Sequence, residues 1–271
     1  MRCLFCKCDS SLSRSVEHVI PESLGNFSHI LHAGSVCDGC NNYFARKVEK
    51  PFLDLDAIEI MRFHQDLKGK NGGVPPLAGL LVPSYPAVIY PGRRNSSMDD
   101  LFVSSEGLED ILRKGRGKLF LPAGAVLGIG PVVSRFVAKV ALEAIAERLA
   151  DHPVGVEYLV DEEQLDPLRN HARYGQISFW PIHQRRIYPE QQKWLSAAGA
   201  ETQVVHEYDF LVTDWGEWFF VLVIFGLELV LNIAGPDIEG YQRWLVKNLN
   251  ACPLYVGKNV DNEWTPVSAD S

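Results

Sequence analysis

Five of the six cysteines of this chain lie within its first 40 residues, and this concentration constrains the fold more than any other feature. A segment of that length buries too little apolar surface to fold alone, and cysteine-rich modules compensate with a metal or with disulfides. The N-terminal string MRCLFCKCD lacks the apolar region of a secretory signal, so we expect a cytoplasmic protein whose thiols stay reduced. A metal is therefore favoured over disulfides.

The spacing of these cysteines indicates which metal. Cys3-x2-Cys6 and Cys37-x2-Cys40 are two knuckles separated by 30 residues, and four thiolates so arranged suit the tetrahedral shell of structural zinc. Cys8 could compete with Cys6, but the x1 spacing does not match a zinc knuckle. We predict a structural Zn²⁺ held by the four knuckle cysteines, with Cys8 a spectator.

The segment between the knuckles is longer than the 15–20 residues or so of a simple zinc ribbon, so it must contain structure of its own. Residues 16–20 have a strand-like composition, Pro21 ends the strand, and Gly25 with Asn26 signals a turn. Residues 35–36 are a candidate for the returning strand. The predicted order is knuckle, hairpin, knuckle and helix.

Beyond the second knuckle the pattern becomes helical. Apolar residues keep helical spacing over 41–63 with one interruption at Pro51, which predicts two helices or one kinked helix. Residues 131–151 carry the strongest amphipathic helix pattern in the chain. Three β-rich runs within 204–235 predict an antiparallel meander, and residues 238–249 a closing helix.

The predicted fold class is α+β. We expect a small zinc-stapled module over residues 1–60, followed by a larger α+β domain over 61–271 with an antiparallel meander. The longest apolar run, residues 218–227, falls short of the ~20 residues needed to cross a bilayer, so no membrane association is expected.

The strings CLFC, EHVIPESLG and VCDGCNNYF, in this order, resemble the HNH endonucleases, also called ββα-metal nucleases, in the variant with two zinc-binding CxxC pairs. The resemblance covers about residues 1–50, and it implies a ββα-metal, treble-clef-like fold for the zinc-stapled module. It implies that His18 is the general base and that Glu17 and Asn41 are ligands of a catalytic divalent metal. The motif's middle asparagine has no clear position, and Asn26 is the nearest candidate.

The chemistry of phosphodiester hydrolysis asks for the same groups. An imidazole can accept a proton from water near neutral pH, which suits His18. Carboxylate and amide oxygens suit a hard cation, so Mg²⁺ is expected, with Mn²⁺ as a substitute. One geometric difficulty is that adjacent strand residues point to opposite faces, so Glu17 and His18 need a bulge or a twisted strand end to face one phosphate.

Alternatives to these assignments stay open from the sequence alone. An arbitrary Glu-His pair is more often a solvated strand residue beside a hydrogen-bonded core histidine than a catalytic pair. Arg46 and Lys47, one helical turn beyond Asn41, are candidate substrate-binding residues through phosphate contacts, and a solvated helix face is an equal alternative.

The charge distribution limits how a polyanion could be bound. The net charge is −8, yet residues 1–50 carry six basic against five acidic residues, so any nucleic acid would meet a local patch. We expect a metal-dependent endonuclease acting on nucleic acid, with DNA favoured, and the resemblance implies a defence or restriction setting. An RNA-directed nuclease and a non-catalytic zinc module that binds nucleic acid or protein are the alternatives. Residues 61–271 would position substrate, form a homo-oligomer or act as a sensor.

Overall fold

The computed structural model describes residues 1–69, 72–92, 100–121, 127–128, 130–152, 154–176, 179–195, 201–203, 205–255 and 265–266. Its α-helices are α1 (Asp38–Phe44), α2 (Lys50–Leu53), α3 (Asp56–His64), α4 (Ser105–Lys114), α5 (Pro131–Arg148), α6 (Gly155–Asp161), α7 (Asp166–Tyr174) and α8 (Glu239–Lys247). Its strands are β1 (Leu77–Leu81), β2 (Tyr85–Tyr90), β3 (Asp100–Val103), β4 (Leu119–Phe120), β5 (His183–Arg186), β6 (Trp194–Leu195), β7 (Glu201–Thr202), β8 (His206–Val212), β9 (Trp218–Ile224), β10 (Leu227–Asn232) and β11 (Thr265–Pro266).

The strands pair in antiparallel sheets with the orders β3-β2-β1-β4, β5-β10-β9-β8 and β11-β6-β7. The mixed helix-and-sheet class predicted from sequence is confirmed, as are the meander of β8, β9 and β10 and the long helix α5. By its contacts the described chain forms two compact units, one of residues 1–21, 26–52 and 128–271 and the other of residues 22–25 and 53–127. The domain boundary drawn at residue 60 stays a prediction.

In the first unit, the sheet β5-β10-β9-β8 forms the core. Its central strands β9 and β10 are buried almost throughout, which explains why they read as continuous apolar runs and not as alternating ones. Phe219, Val221 and Val223 of β9 pack against Tyr241 and neighbouring residues of α8, while α5 contacts β10. The sheet is thus covered by a helix on either side.

The second unit is built around the sheet β3-β2-β1-β4. Phe63 of α3 packs with Leu77 of β1 and Ile89 of β2 in a small apolar cluster. Helix α4 is capped at its N-terminus by Ser104, whose side chain accepts a hydrogen bond from the backbone N–H of Gly107, and at its C-terminus by Gly115 in the left-handed conformation.

The second knuckle leads directly into α1. The Cys37 side chain caps the helix by accepting a hydrogen bond from the backbone N–H of Cys40. A π-helical turn, Ala45–Glu49, then leads into α2, which contains Pro51. Because Pro51 has no N–H and its ring crowds the preceding turn, the wider π turn accommodates it within a continuous helical path.

The hairpin between the knuckles differs from the sequence prediction. Residues 35–36 are not the returning strand, since His18 forms an isolated antiparallel bridge with Ile30 and the backbone N–H of Leu31 donates to the carbonyl of Glu17. The carbonyl of Ser35 instead accepts from the backbone N–H of Leu4 in the first knuckle. The turn at Asn26 closes a hairpin too short to include residue 35.

No helix of the described ranges is both long enough and apolar enough to cross a bilayer.

Candidate functional site

The four knuckle cysteines converge on one point. The sulfur atoms of Cys3, Cys6, Cys37 and Cys40 all lie within 4.8 Å of one another, and the sulfurs of Cys6 and Cys37 are 3.6 Å apart. A tetrahedral zinc with Zn–S bonds of about 2.3 Å would hold its sulfurs about 3.8 Å apart. The predicted grouping of these four residues is confirmed, and the cluster could hold a zinc ion.

The electrostatics of the cluster fit a bound cation. A hydrogen bond from the Cys40 thiol lowers the pKa of Cys3 to about 4, although burial opposes the shift, while burial raises the pKa of Cys6 to about 12. Donating that bond to Cys3 raises the pKa of Cys40. The thiols of Cys3, Cys6 and Cys40 therefore do not ionise together unless a cation neutralises them. Cys8 lies outside the cluster and is exposed.

A single buried asparagine ties the hairpin together. Asn26 is fully buried, and its Nδ2 donates to the carbonyls of Ile20 at 2.7 Å and His29 at 2.9 Å. Its Oδ1 accepts from the backbone N–H groups of Ser28 at 3.1 Å and His29 at 2.9 Å. The sequence left the position of the motif's middle asparagine open, with Asn26 the nearest candidate. In the structure, Asn26 makes the hydrogen bonds that join the two sides of the hairpin.

His18 lies on the first hairpin segment and is half-buried. Among the described residues its buried Nδ1 has no hydrogen-bond partner. The bridge to Ile30 and the hydrogen bond from the backbone N–H of Val19 to the carbonyl of His29 hold its backbone. The imidazole is therefore carried on a fixed backbone, with no described group competing for Nδ1.

Asn41 lies in the first turn of α1, close to the hairpin. Its Nδ2 donates to the carbonyl of Val16 at 2.9 Å, which places the side chain beside the segment that carries Glu17 and His18. Because the amide nitrogen is held by Val16, the oxygen Oδ1 is the end of the side chain that could bind a cation.

Glu17 faces away from solvent. Only 6% of its surface is exposed, and its Oε1 lies 2.7 Å from the Nζ of Lys139 in the middle of α5. The same ammonium contacts Glu49 at 2.8 Å and Glu143 at 2.9 Å, so three carboxylates face one cation. Burial raises the pKa of Glu17, which Lys139 opposes, and burial also raises the pKa of Glu143.

Lys139 stays charged despite its burial. Its side chain is wholly inaccessible to solvent, which by itself would lower its pKa, but the carboxylates of Glu143, Glu17 and Glu49 raise the pKa well above the ordinary value. Sequence reasoning missed this residue because it lies far along the chain. The one available signal was a Lys and a Glu four residues apart within the otherwise apolar residues 137–146 of α5.

A second polar contact joins the hairpin to α5. His29 Nδ1 lies 3.0 Å from Glu147 Oε1 and 2.8 Å from the hydroxyl of Tyr208, which also donates to Glu147. These contacts give His29 specific partners on α5 and β8. Arg46 and Lys47, the candidate residues for phosphate contact, are exposed on the π-helical turn that follows α1.

Residues 3–55 match the model of the HNH endonuclease family. The resemblance drawn from the motif is thereby confirmed for this segment, and it indicates a nuclease whose substrate is nucleic acid. Comparison of the chain with curated proteins and with solved structures gave no match.

Proposed function

We propose that this protein is a metal-dependent HNH endonuclease that hydrolyses phosphodiester bonds, with DNA as the favoured substrate. The observation that carries the proposal is the arrangement around the hairpin. Its first segment bears Glu17 and His18, and Asn41 of α1 is bonded to the carbonyl of Val16 at its start. The family match over residues 3–55 supports the same conclusion.

His18 is proposed as the general base. Its imidazole would take a proton from a water molecule, whose oxygen then attacks the phosphorus as the bond to the leaving 3′ oxygen breaks. The residue is only half-buried, which suits contact with a substrate, while the bridged backbone keeps the imidazole in place. A base that must be positioned before the substrate arrives benefits from such a support.

Glu17 and Asn41 are proposed to hold one divalent metal, with Mg²⁺ expected and Mn²⁺ as a substitute. Both offer the hard oxygen ligands that these ions prefer. Glu17 would use Oε2, since Oε1 lies on Lys139, and Asn41 would use Oδ1, since Nδ2 lies on Val16. When bound, the metal would stabilise the negative charge that develops on the phosphate and the leaving oxygen.

Zinc is proposed to hold the module in shape and to take no part in the reaction. Its four sulfur ligands would leave no open position for water or phosphate, as in closed structural sites. Arg46 and Lys47, exposed on the turn after α1, are proposed to contact phosphates of the substrate backbone. Residues 61–271 are proposed to position the substrate, to form a homo-oligomer or to act as a sensor.

The test is cleavage of supercoiled plasmid and of a structured RNA, with and without Mg²⁺. Metal-dependent nicking of the plasmid is expected, whereas cleavage of RNA alone would favour an RNA-directed nuclease. Binding without cleavage of either would favour a non-catalytic zinc module. His18→Ala should abolish cleavage while zinc content stays unchanged, and His32→Ala, at an exposed histidine on the same insert, is the matched control.

For the metal ligands, Glu17→Gln and Asn41→Ala should raise the Mg²⁺ or Mn²⁺ concentration needed for half-maximal cleavage. Excess metal should partly restore these two variants but not His18→Ala, because only the ligand variants lose metal affinity. Wild-type rates in His18→Ala would refute its assignment as the base.

A further inference from the structure

One ammonium group touches both residues of the Glu-His pair. Lys139 Nζ lies 2.7 Å from the side chain of Glu17 and donates to the backbone carbonyl of His18 at 3.2 Å. The two contacts are made from α5, more than a hundred residues further along the chain.

The position of this ammonium is closely determined. Lys139 is completely buried, and Glu49 and Glu143 hold its Nζ at 2.8 and 2.9 Å from the other sides. A buried lysine among four oxygen atoms has little rotamer freedom, so it can fix the groups that it contacts. Glu143 lies on the same helix as Lys139 and links the contact to a rigid element.

Helix α5 supports the hairpin at a second point on the same face. Lys139, Glu143 and Glu147 follow one another at intervals of four residues and so lie along one side of the helix. Lys139 contacts the first hairpin segment, and Glu147 contacts His29 of the returning segment. Both segments of the hairpin therefore rest on one row of α5 side chains.

We propose that Lys139 is a positioning residue of the nuclease site, which orients the carboxylate of Glu17 and the backbone of His18 so that Glu17 can bind the divalent metal. The inference rests on the proposed function, because it assigns Glu17 as a metal ligand. Partners that orient a metal ligand without touching the metal set its affinity, and losing one costs about 10- to 100-fold in metal affinity or activity.

An alternative role for Lys139 is simple neutralisation of buried carboxylates. The two roles differ in what a charge-compensated variant should do. Lys139→Met alone leaves Glu17, Glu49 and Glu143 without their cation and is expected to be unstable. Adding Glu143→Gln removes one buried carboxyl group together with the ammonium, so fewer carboxyl groups are left without a cation than in Lys139→Met, while the anchor of Glu17 is still missing.

The experiment compares the wild type, Glu143→Gln and Lys139→Met/Glu143→Gln, with Lys247→Met as the matched control. Lys247 lies in the last turn of α8 and is paired with the exposed Asp214. Zinc content and thermal unfolding confirm folding. Mn²⁺ affinity is measured by electron paramagnetic resonance, and plasmid cleavage is followed over a range of Mn²⁺ concentrations.

We expect the double variant to keep its zinc but to bind Mn²⁺ about 10- to 100-fold more weakly than Glu143→Gln, with cleavage partly restored by excess Mn²⁺. Wild-type Mn²⁺ affinity in the folded double variant would overturn the proposal and leave charge neutralisation as the role of Lys139. A wild type that binds no Mn²⁺ would also overturn it, because there would be no metal site to position. A wild type that binds Mn²⁺ but cleaves nothing refutes the nuclease function alone, and the Mn²⁺ affinities still decide the role of Lys139.

Discussion

Replacing Asn26 with alanine should destabilise the hairpin that carries His18. The substitution removes four hydrogen bonds from a fully buried side chain, two donated to the carbonyls of Ile20 and His29 and two accepted from Ser28 and His29. A hydrogen bond contributes about 0.5–1.5 kcal/mol net, and leaving a buried partner unsatisfied costs about 1–3 kcal/mol. Ser28 is exposed, so its N–H can bond to water instead. We therefore expect the free energy of unfolding to fall by about 3 kcal/mol, near the lower end of the summed contributions of these bonds.

The assay is thermal or urea unfolding of the zinc-loaded protein. For a unit of this size, about 3 kcal/mol corresponds to a fall in Tm of about 6–12 °C. Hydrogen exchange should show faster exchange at the amides of Ser28 and His29. Asn42→Ala, at an exposed position of α1, is the matched control and should change the free energy of unfolding by less than about 0.5 kcal/mol. A loss below about 1 kcal/mol for Asn26→Ala, with unchanged exchange, would show that Asn26 does not hold the hairpin.

Three further outcomes can be checked. Elemental analysis of the purified protein should find one tightly bound zinc per chain. Cys40→Ser or chelation of the zinc should unfold the N-terminal module, since structural zinc contributes folding energy directly. A folded protein free of zinc would contradict this prediction. Arg185→Met should lower the free energy of unfolding by about 3–5 kcal/mol, because it leaves the fully buried Glu228 without the guanidinium that contacts it at 2.6 Å. The same substitution should leave unchanged the slope of log affinity for DNA against log salt concentration. A slope flatter by about one unit would make Arg185 a phosphate contact. Burial lowers the pKa of His183, so below about pH 6.5 the unfolded chain binds more protons than the folded one. The free energy of unfolding should therefore fall as the pH falls from there through the folded-state pKa of His183. Urea unfolding at several pH values should show a weaker pH dependence in His183→Gln and an unchanged one in His152→Gln, the control at an exposed site.

Elements whose signal is local could be predicted from the sequence. The spacing of the knuckle cysteines predicted the grouping of Cys3, Cys6, Cys37 and Cys40 because each pair lies in one turn of the chain. The apolar stripe of residues 131–151 and the β-rich runs of 204–235 predicted α5 and the meander, because each such pattern reflects burial of one element. The motif itself predicted the family that the segment 3–55 matches.

Local sequence signals did not predict the returning segment of the hairpin correctly. Residues 35–36 had the composition of a strand, yet the returning segment pairs through Ile30, because the side chain of Asn26 bonds both sides of the turn and closes the hairpin early. Side-chain hydrogen bonds of this kind leave no periodic pattern in a sequence. The position of Asn26 in the motif could therefore not be read from its spacing.

The sequence alone predicts the grouping of the four knuckle cysteines, the α+β class and the position of the Glu-His pair, since all three depend on residues close together in the chain or on repeating burial. What surrounds that pair follows from the tertiary structure. Lys139 reads in the sequence as one charged residue of an amphipathic helix, and packing of α5 against the hairpin places it, wholly buried, between Glu17 and Glu143. An ion pair between residues so far apart depends on which helix faces the hairpin and at what rotation, and no spacing along the chain encodes either.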